Sequence, residues 1–461
     1  MDNKIRILFY NVDGAGVNYF RTLTPAMELE KNHSDKFHVE INPQIDFNDP
    51  NIFDYLKSFH IIHYHRQFLP DTRQMYELTK RLREVGTTVI VDVDDYWHLH
   101  PKHPFYSLSR QRQMHIPIME NLKIADYVTT TTDLFAKKIK EVTEKNNVRV
   151  FYNSIDPTWM KQFKNNWKPD PNGRVRITYM AGSSHMVDVE QLRGVFNVLQ
   201  SDPSLKDKFK VIIAGWDTEG STTEVTFNQE FGNELQAMGL WNEKTVKAIN
   251  QSQGDVDKIP NLPEDLKERY RGKVFNENKR DIKSEESIYF QYEKILTNNH
   301  KLIENKDYYD WLMNFERDVD YPGEEGNFKR IWTQKANTYA KTLDQTDIVI
   351  APLADNDFNK MKSNLKQVEC WSRKLPVVCT DIPPYNVDGR HMENCVLIPN
   401  KKNAHKYWAK SLKRLILDAD LRKQLGEQLY EDFHEKYHLA NVTKKRADFY
   451  KEVVSKSLQL K

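Results

Sequence analysis

The sequence predicts an α/β protein with two Rossmann-like domains facing a cleft, and with a helical and loop insertion in the second domain. Short, continuous apolar runs alternate with amphipathic segments, which is typical of parallel sheets covered by helices on both faces. The alternation stops at residues 165–174, which contain two prolines and a glycine, and then starts again. A chain of 461 residues also exceeds the size of a single hydrophobic core, so more than one domain is expected.

The first domain is predicted to span residues 1–166. It contains five strand-like runs, which are KIRILFYN (4–11), FHIIHYH (59–65), TTVIVDV (87–93), YVTTTT (127–132) and VRVFYN (148–153). Amphipathic segments such as TRQMYELTKRLREVG separate these runs and predict the covering helices.

The second domain is predicted to span residues 175–440. Its strand-like runs are VRITYMAG (175–182), FKVIIAG (209–215), TDIVIAPL (346–353), LPVVCTD (375–381) and NCVLIPN (394–400). Residues 216–327 interrupt the pattern, and their charged, aromatic composition predicts an insertion of helices and loops. A last helix, at 441–461, is predicted to return to the first domain.

Composition and charge limit the classes of protein to which this chain can belong. The 68 basic and 66 acidic side chains nearly cancel, so net charge does not indicate nucleic-acid binding, although a local basic patch stays open. The three cysteines form no CxxC pair and are predicted to be reduced and buried. No apolar run is long enough to span a bilayer, and the N-terminal residues lead directly into a strand pattern, which predicts a cytoplasmic protein without a membrane span.

Ligands of open α/β sheets bind outside the carboxyl ends of the strands, so the residues after each strand are the candidates for a site. After the first strand, Gly14 and Gly16 precede a predicted helix, where glycine would allow an anion to approach the backbone closely. A plain tight turn is the alternative. The third glycine of the dinucleotide fingerprint is missing, so NAD is not predicted.

The second domain supplies a stronger group, in FNKMKSNLKQVECWSRKLPVVCTDIPPY (358–385). Ser363 and Asn364 are good residues for a helix N-cap, and helical spacing places Lys362, Lys366 and Glu369 on one side of the helix that follows. The two lysines and the backbone N–H groups would hold phosphates, and a fixed carboxylate would bind the hydroxyls of a ribose. The alternative is a Lys366–Glu369 pair on a solvated face.

The stretch VIVDVDDYWHLHPKHP (89–104) places three aspartates and three histidines at the end of a first-domain strand. Three interpretations are open, namely a metal site, an acid/base group and a solvated strand end. Asp94 and Asp95 should face the cleft. Carboxylates there can accept hydrogen bonds from sugar hydroxyls or stabilise the positive charge that develops on an oxocarbenium-like sugar. The histidines alternate with prolines and indicate a loop at the cleft rim, while His63 and His65 are interpreted as packing residues.

The order of these motifs resembles the GT-B glycosyltransferases, in particular the retaining nucleotide-sugar enzymes of family four. The resemblance rests on HIIHYH, ADYVTTTTDLFAKKI, VRVFYNSIDPTWM, VRITYMAGSSH, FKVIIAG, TDIVIAPL and KSNLKQVECWSRKLPVVCTDIPPY. It covers most of the chain outside 216–327. Uncharacterised members carried by bacteriophages are similar more loosely.

The resemblance implies that Glu369 binds the donor ribose and that residues 362–366 hold the diphosphate and the donor sugar. The family usually has another glutamate eight positions earlier, where this chain has Met361. The region in which the family often has an arginine and a lysine for the diphosphate contains three other candidates, which are Gly182, Ser183 and His185. Asp94 and Asp95 would stand in place of a histidine–aspartate pair that touches the donor sugar or the acceptor.

The predicted function is transfer of a hexosyl or pentosyl group from a nucleotide diphosphate sugar to an acceptor hydroxyl, with retention and with no cofactor or metal required. The acceptor stays open between glycan, protein and modified DNA. The segment LKERYRGKVFNENKRDIK (266–283) is basic with interleaved aromatics and would suit phage-type transfer to hydroxymethylated bases, or is a solvated part of the insertion. A noncatalytic nucleotide-sugar-binding module is the remaining alternative.

Overall fold

A computed structural model of the chain describes residues 4–11, 16–217, 220–252, 254–282, 287–313 and 321–459. The chain divides into two compact units. The larger comprises Met1–Trp216 with Tyr292–Lys461, and the smaller is Asp217–Gln291.

The larger unit contains two six-stranded parallel sheets. The first sheet has the order β2-β1-β3-β4-β5-β6. Its strands are β1 (Ile5–Tyr10), β2 (Phe37–Ile41), β3 (Ile61–His65), β4 (Thr88–Val93), β5 (Tyr127–Thr130) and β6 (Val148–Val150). Its helices are α1 (Gly16–Asn18), α2 (Thr24–Asn32), α3 (Ile52–Leu56), α4 (Thr72–Glu84), α5 (Tyr106–Gln111), α6 (His115–Ile124) and α7 (Asp133–Thr143), and a π-helical turn covers Tyr19–Leu23.

The second sheet has the order β11-β8-β7-β12-β13-β14, and all its pairs are parallel. Its strands are β7 (Val175–Met180), β8 (Phe209–Ala214), β11 (Phe328–Ile331), β12 (Ile348–Ala351), β13 (Val377–Thr380) and β14 (Val396–Ile398). The α-helices are α8 (Val195–Gln200), α12 (Ile288–Thr297), α13 (Lys306–Met313), α14 (Asp357–Lys360), α15 (Leu365–Trp371), α16 (Tyr385–Asp388), α17 (Ala404–Leu417), α18 (Ala419–Tyr437) and α19 (Leu439–Gln459). Short 3-10 helices cover Lys161–Phe163, Ser183–Leu192, Pro203–Leu205 and Tyr339–Gln345.

The apolar core of the first sheet follows its pleat, because successive side chains of a strand point to opposite faces. Ile62 and Tyr64 belong to the cluster that includes side chains of α4, α6 and α7. Ile61, from the same strand, belongs to the opposite cluster, formed with α2 and α19. The last helix of the chain therefore packs on the first sheet, where the Tyr450 hydroxyl bonds His63 Nδ1 at 2.8 Å.

The core of the second sheet joins its strands to α15 and α18. The buried side chains Val349, Val377, Val368, Trp371 and Phe433 lie in one cluster. Trp371 Nε1 also donates to the Tyr430 carbonyl at 3.0 Å, so the polar end of this buried ring has a partner. α15, which contains Glu369, is thus held on one side by buried apolar contacts.

The smaller unit has its own apolar cluster, which includes Phe231, Leu235, Leu266 and Tyr270. An antiparallel ribbon pairs β9 (Gly220–Phe227) with β10 (Phe275–Ile282). Its helices are α9 (Gln229–Ala237), α10 (Glu243–Gln251) and α11 (Glu264–Tyr270), with a 3-10 helix at Val256–Lys258.

The two-sheet α/β fold predicted from the sequence is confirmed, with three local differences. β2 and β11 were not predicted, and they add a strand to one edge of each sheet. The insertion contains a β-ribbon besides the expected helices and loops. Residues 187–200, VDVEQLRGVFNVLQ, have the periodicity of one helix, but they form a 3-10 helix up to Leu192 followed by α8. Gly194, with a left-handed φ of 87°, interrupts the helix.

Cys370, Cys379 and Cys395 are buried and free, as predicted. Among the described residues, no helix is long and apolar enough to cross a membrane.

Gly426, in α18, is predicted to be required for packing. A Cβ at this position would lie 1.9 Å from the Lys374 carbonyl oxygen, which belongs to the backbone and cannot turn away. Helix propensity alone would make Gly426→Ala stabilising by about 1 kcal/mol. We expect a loss of about 1–3 kcal/mol in the free energy of unfolding instead, because overpacking dominates. Urea unfolding measures this, with Glu427→Ala as the control on the same helix. A stabilised Gly426→Ala variant would contradict the packing.

Candidate functional site

The carboxyl edge of the first sheet holds Asp94 between two basic side chains. His65 Nε2 lies 2.9 Å from Asp94 Oδ1, and Arg66 Nη2 donates to the same oxygen at 3.0 Å. A carboxylate oxygen only accepts, so His65 Nε2 carries the proton of this bond. Arg66 Nη2 also lies 3.5 Å from Asp95 Oδ2.

These contacts keep Asp94 ionised. Burial alone would raise its pKa, but Arg66 and His65 together hold the pKa of Asp94 below its usual range. Within the described part of the chain, no protein donor lies at hydrogen-bond distance from its other oxygen, Oδ2. Asp94 can therefore accept a hydrogen bond from a ligand without losing the two that orient it.

Asp92 is buried one layer below Asp94 and pairs with Arg21. Arg21 Nε donates to Asp92 Oδ2 at 3.0 Å and Nη2 to Oδ1 at 2.6 Å, and both side chains are at most 3% exposed. Thr129 Oγ1 donates to Oδ1 as well, at 2.5 Å. Despite burial, which opposes ionisation, Arg21 lowers the pKa of Asp92 to about 2.

The Arg21 guanidinium also begins a bridge between the two sheets. Arg21 Nη1 donates to Asn153 Oδ1 at 3.2 Å, and Asn153 Nδ2 donates to Ser363 Oγ at 2.9 Å. Asn153 follows β6 of the first sheet, and Ser363 precedes α15 of the second. The loop before α15 is therefore positioned from the carboxyl edge of the first sheet.

Asn364 occupies the N-cap position of α15, but its side chain makes no capping hydrogen bond, contrary to the expectation from sequence. Asn364 Nδ2 instead donates to the Tyr437 hydroxyl at 2.8 Å. Tyr437 lies at the end of α18, and its hydroxyl donates in turn to Asp388. Tertiary contacts thus fix this loop where local capping was predicted.

Glu369 is 1% exposed, and both of its carboxylate oxygens are bonded. Lys366 Nζ donates to Oε2 at 2.8 Å, and the Tyr339 hydroxyl donates to Oε1 at 2.5 Å. Burial raises the pKa of Tyr339 well above its usual value, so this hydroxyl stays protonated. The predicted Lys366–Glu369 pair exists, but it does not lie on a solvated face.

Lys362 contacts a different group. Its Nζ lies 3.2 Å from His185 Nε2, and His185 Nδ1 lies 2.9 Å from Asp188 Oδ2. His103, from the predicted rim loop of the first domain, contacts Phe358 with ring centroids 5.1 Å apart, and Lys362 Nζ lies 4.7 Å above that same ring. Burial and Lys362 lower the pKa of His103 to about 4.

The two predicted glycines that the structure describes, Gly16 and Gly182, have no steric role that it identifies. A Cβ at Gly16 or at Gly182 would meet no atom within 4 Å, and neither residue has a left-handed φ. Gly14 and the side chain of Ser183 lie outside the part of the chain that the structure describes. Near the end of β7 the backbone does require a glycine at Gly215, after β8, where φ is 97° and a Cβ would lie 2.6 Å from the Ala181 carbonyl oxygen.

An open pocket lies beside the loop before α15 and is lined from both sides of the cleft. Its lining includes Thr132, Asp133, Tyr152, Lys360, Asn364 and Lys436. The Tyr152 hydroxyl donates to Asp133 Oδ2 at 2.8 Å, and this bond fixes the wall of the pocket that the first sheet supplies. The pocket contains both charged and aromatic side chains, as a site for a polar organic ligand does.

The described residues contain no group of three or more His, Cys, Asp or Glu side chains arranged to hold a metal ion. His98 and His100, in the predicted rim loop, make local contacts. The His98 ring packs 5.1 Å from His115, and His100 Nδ1 accepts from the Lys102 backbone.

Sequence reasoning missed five residues of this region, namely His65, Arg66, Asn153, Asp188 and Tyr339. His65 was interpreted as a packing residue, yet it bonds Asp94. The register of the predicted parallel strands could have found it, because His65 pairs with Asp92 at the ends of adjacent strands. No sequence signal links Tyr339 to Glu369, thirty positions away.

A comparison with protein-family models and with curated proteins gives no match to this chain. Solved structures do match its fold. They include a sucrose-phosphate synthase from Thermosynechococcus elongatus, with a TM-score of 0.55 and 11% identity over 98% of this chain and 100% of that one. The Anabaena protein HepE in complex with UDP and glucose matches with a TM-score of 0.52 and 11% identity, over 96% and 99% of the two chains.

A third match is an alpha-glucosyltransferase in complex with UDP and a 13-mer DNA containing a HMU base. Its TM-score is 0.52 at 12% identity, over 98% of this chain and 100% of that one. At such identities the likeness establishes the fold. The chain has the GT-B fold, with two parallel Rossmann-like sheets.

Asp92 is predicted to contribute to stability through its buried pair with Arg21. We expect Asp92→Asn to lower the free energy of unfolding by about 3–5 kcal/mol, because it leaves a buried guanidinium without its counter-charge. The pKa of Asp92 is depressed in the folded protein, so its stabilisation is present above the unfolded pKa of about 3.9 and is lost as pH falls through about 2. The difference in the free energy of unfolding between wild type and Asp92→Asn should therefore shrink as pH falls over this interval.

Urea unfolding at a series of pH values measures that difference. Asp420→Asn, in the exposed first turn of α18, is the control and should behave as the wild type. A difference that stays constant from neutral pH down to about pH 2 would contradict the assignment.

Proposed function

We propose that this chain is a glycosyltransferase that moves a hexosyl or pentosyl group from a nucleotide diphosphate sugar to an acceptor hydroxyl, with retention of configuration. The observation that carries the proposal is the buried, doubly bonded Glu369 carboxylate at the cleft of a GT-B fold. The resemblance of its segment to family-four enzymes supports the same assignment.

Glu369 is proposed to bind the two hydroxyls of the donor ribose. A carboxylate with a fixed orientation binds neighbouring hydroxyls well, and Glu369 is fixed because it is 1% exposed and packed on the second sheet. In the described structure, Tyr339 and Lys366 occupy its two oxygens. A ribose hydroxyl that replaces Lys366 on Oε2 would free this ammonium to bind a phosphate.

The diphosphate is proposed to bind between Lys362, Lys366 and His185, beside the open space at Gly182. Both lysines now donate to internal partners, Lys362 to His185 and Lys366 to Glu369. Phosphate oxygens are stronger acceptors than a neutral imidazole, so the exchange is favourable for Lys362. Two ammonium groups would balance the two charges of a diphosphate diester, and on this ground we propose that the reaction requires no metal.

Asp94 is proposed to touch the donor sugar or the acceptor, with Asp95 beside it at the rim. Its Oδ1 is engaged by His65 and Arg66, which keep the carboxylate ionised and oriented. An ionised carboxylate can stabilise the positive charge that develops at the sugar carbon. Because retention in the resembled family relies on the leaving phosphate to assist the acceptor, no enzymatic nucleophile is assigned.

The described side chains of the basic segment 266–283 give little support to a DNA acceptor. Within the smaller unit, Arg269 pairs with Glu234 at 2.7 Å, Arg271 pairs with Asp257, and Lys267 pairs with Glu264 at 3.0 Å. Tyr270 is buried in the apolar cluster of that unit rather than exposed for stacking on bases. These contacts favour the interpretation of the segment as a solvated part of the insertion.

Removal of the Glu369 carboxylate is predicted to weaken donor binding. Glu369→Ala should cost about 1.5–3 kcal/mol in nucleotide-sugar affinity, the usual range for hydrogen bonds to a charged group. Titration calorimetry with UDP-glucose and UDP measures this, and Glu190→Ala, an exposed residue paired with Arg193, is the control. Unchanged affinity in a folded Glu369→Ala protein would rule out the ribose assignment.

Loss of the Asp94 charge is predicted to affect turnover and not nucleotide binding. Asp94→Asn should release nucleotide from a panel of nucleotide sugars at least about tenfold more slowly than the wild type, with affinity nearly unchanged, because the carboxylate acts on developing charge. Asp95→Asn, at the rim, should also reduce turnover. Full activity of the wild type in EDTA is expected.

Three outcomes would count against this function. Activity that disappears in EDTA and returns with manganese would establish a metal requirement. Nucleotide binding without any turnover, with a range of acceptors present, would favour a noncatalytic sugar-nucleotide-binding module. Equal turnover by wild type and Asp94→Asn would remove Asp94 from the reaction.

A further inference from the structure

Asp188 is a buried carboxylate that joins three segments around the proposed diphosphate site. Its Oδ2 lies 2.9 Å from His185 Nδ1, while Oδ1 accepts from the Ala354 backbone N–H at 2.8 Å and from Asn359 Nδ2 at 2.9 Å. The Asp188 side chain is 5% exposed. Asp188 is therefore held in place independently of His185, and it fixes one nitrogen of the imidazole.

The contacts on its two ring nitrogens define the state of His185. A carboxylate only accepts, so Nδ1 carries a proton and donates to Asp188. A lysine ammonium only donates, so Nε2, which lies 3.2 Å from Lys362 Nζ, accepts and carries no proton. His185 is thus neutral in this arrangement.

The surrounding charges agree with this geometry. Burial and the Lys362 ammonium lower the pKa of His185, with a smaller contribution from Lys366, while the contact with Asp188 opposes them. Across the cleft, His103 faces the same group, and burial and Lys362 lower its pKa to about 4. Among the described residues, the ionised groups that face His185 are therefore Lys362, Lys366 and Asp188.

A bound diphosphate would reverse this balance. When Lys362 turns to a phosphate oxygen, the lone pair of His185 Nε2 is left facing an anion, which is repulsive. A proton on Nε2 converts the same nitrogen into a charge-assisted donor to the phosphate. Asp188 remains on Nδ1 and stabilises the imidazolium, as a carboxylate does for histidine in other charged pairs.

We propose that His185 takes up one proton from solvent when the diphosphate of the donor binds, with Asp188 as the residue that positions and stabilises the imidazolium. The inference rests on the proposed function, because it assumes that a nucleotide diphosphate sugar binds at Lys362. The proton forms a bond to Nε2 on binding and returns to solvent when the nucleotide leaves.

The sign of the pH dependence follows from linkage. The pKa of His185 is higher in the complex than in the free protein, so affinity is greatest below the free pKa. It falls as pH rises between the two pKa values, by up to about tenfold per pH unit for one proton, and is constant above the pKa of the complex.

Titration calorimetry tests this, with UDP-glucose and ADP-glucose as probes. Both are diphosphate diesters whose phosphates do not titrate near neutral pH, so proton uptake reports the protein. Between about pH 5.5 and 8.5, wild type should lose affinity as pH rises. In buffers of different ionisation enthalpy, it should take up a fraction of one proton per nucleotide bound.

His185→Gln keeps an acceptor for Lys362 but cannot be protonated. We expect it to bind with an affinity that is independent of pH and with no proton uptake. Asp188→Asn should move the fall in affinity to lower pH, because the imidazolium loses its counter-charge. His38→Gln, an exposed histidine on the edge strand β2, is the matched control and should follow the wild type.

The outcomes separate this inference from the proposed function. Equal proton uptake by wild type and His185→Gln would overturn the assignment to His185. The assignment would also fail if proton uptake disappeared in His103→Gln and persisted in His185→Gln. Binding of the nucleotide sugars without any proton uptake by the wild type would overturn the coupling and leave the proposed function intact. Failure of the wild type to bind any member of the panel of nucleotide sugars would overturn both.

Discussion

The buried pair of Arg21 with Asp92 is the interaction on which the arrangement of the cleft depends. Removing two charges from water costs several kcal/mol for each ion, and the cost is offset only where the geometry is good and the remaining donors have partners. Here the guanidinium makes two bonds to the carboxylate, and a third nitrogen reaches Phe151 O and Asn153 Oδ1. Because Asn153 continues to Ser363, the pair fixes the edge of the first sheet and the loop before α15 in one network. A shift of β4 would therefore move both Asp94 and the residues proposed to bind the diphosphate.

The sequence carried enough information for the two sheets because their strands are buried on both faces and appear as continuous apolar runs. The two strands that the sequence did not indicate, β2 and β11, are edge strands of the two sheets. β2, with the sequence FHVEI, is short and alternates, and β11, FKRI, contains two cations, one of which is buried against Glu293. The break at Gly194 depends on a left-handed φ, which a helical periodicity between 187 and 200 does not reveal. Tertiary pairing, rather than local propensity, decides such segments.

Prediction of the site was limited by the range of its contacts. Helical spacing brought Lys366 and Glu369 together correctly, because they lie three residues apart on one helix. The partners that decide their environment come from far along the chain. Tyr339 reaches Glu369 from a 3-10 helix, and Tyr437 replaces the local cap expected of Asn364. The environment of Met361 is also set by residues far along the chain, because Met361 lies in the apolar cluster of the first sheet and is 9% exposed. A methionine there supplies packing between the halves and cannot hydrogen-bond a sugar hydroxyl.

The lysines of the proposed diphosphate site are already paired within the protein, and this pairing affects how the site can suit an anionic ligand. In the described structure, both lysines near the proposed diphosphate site donate to acceptors of the protein itself, and the adjoining histidines have lowered pKa values. In this arrangement the site has little unbalanced charge, so it avoids the repulsion that several free cations would create in a partly buried volume. In the proposed complex, binding would exchange partners instead of adding charges. Lys362 would leave a neutral imidazole, Lys366 would leave a carboxylate that a ribose can occupy, and the nitrogen that Lys362 vacates would gain a proton. The affinity of such a site would depend on the internal acceptors as much as on the cations, so the proposal assigns two acidic residues, Asp188 and Glu369, to the recognition of an anion.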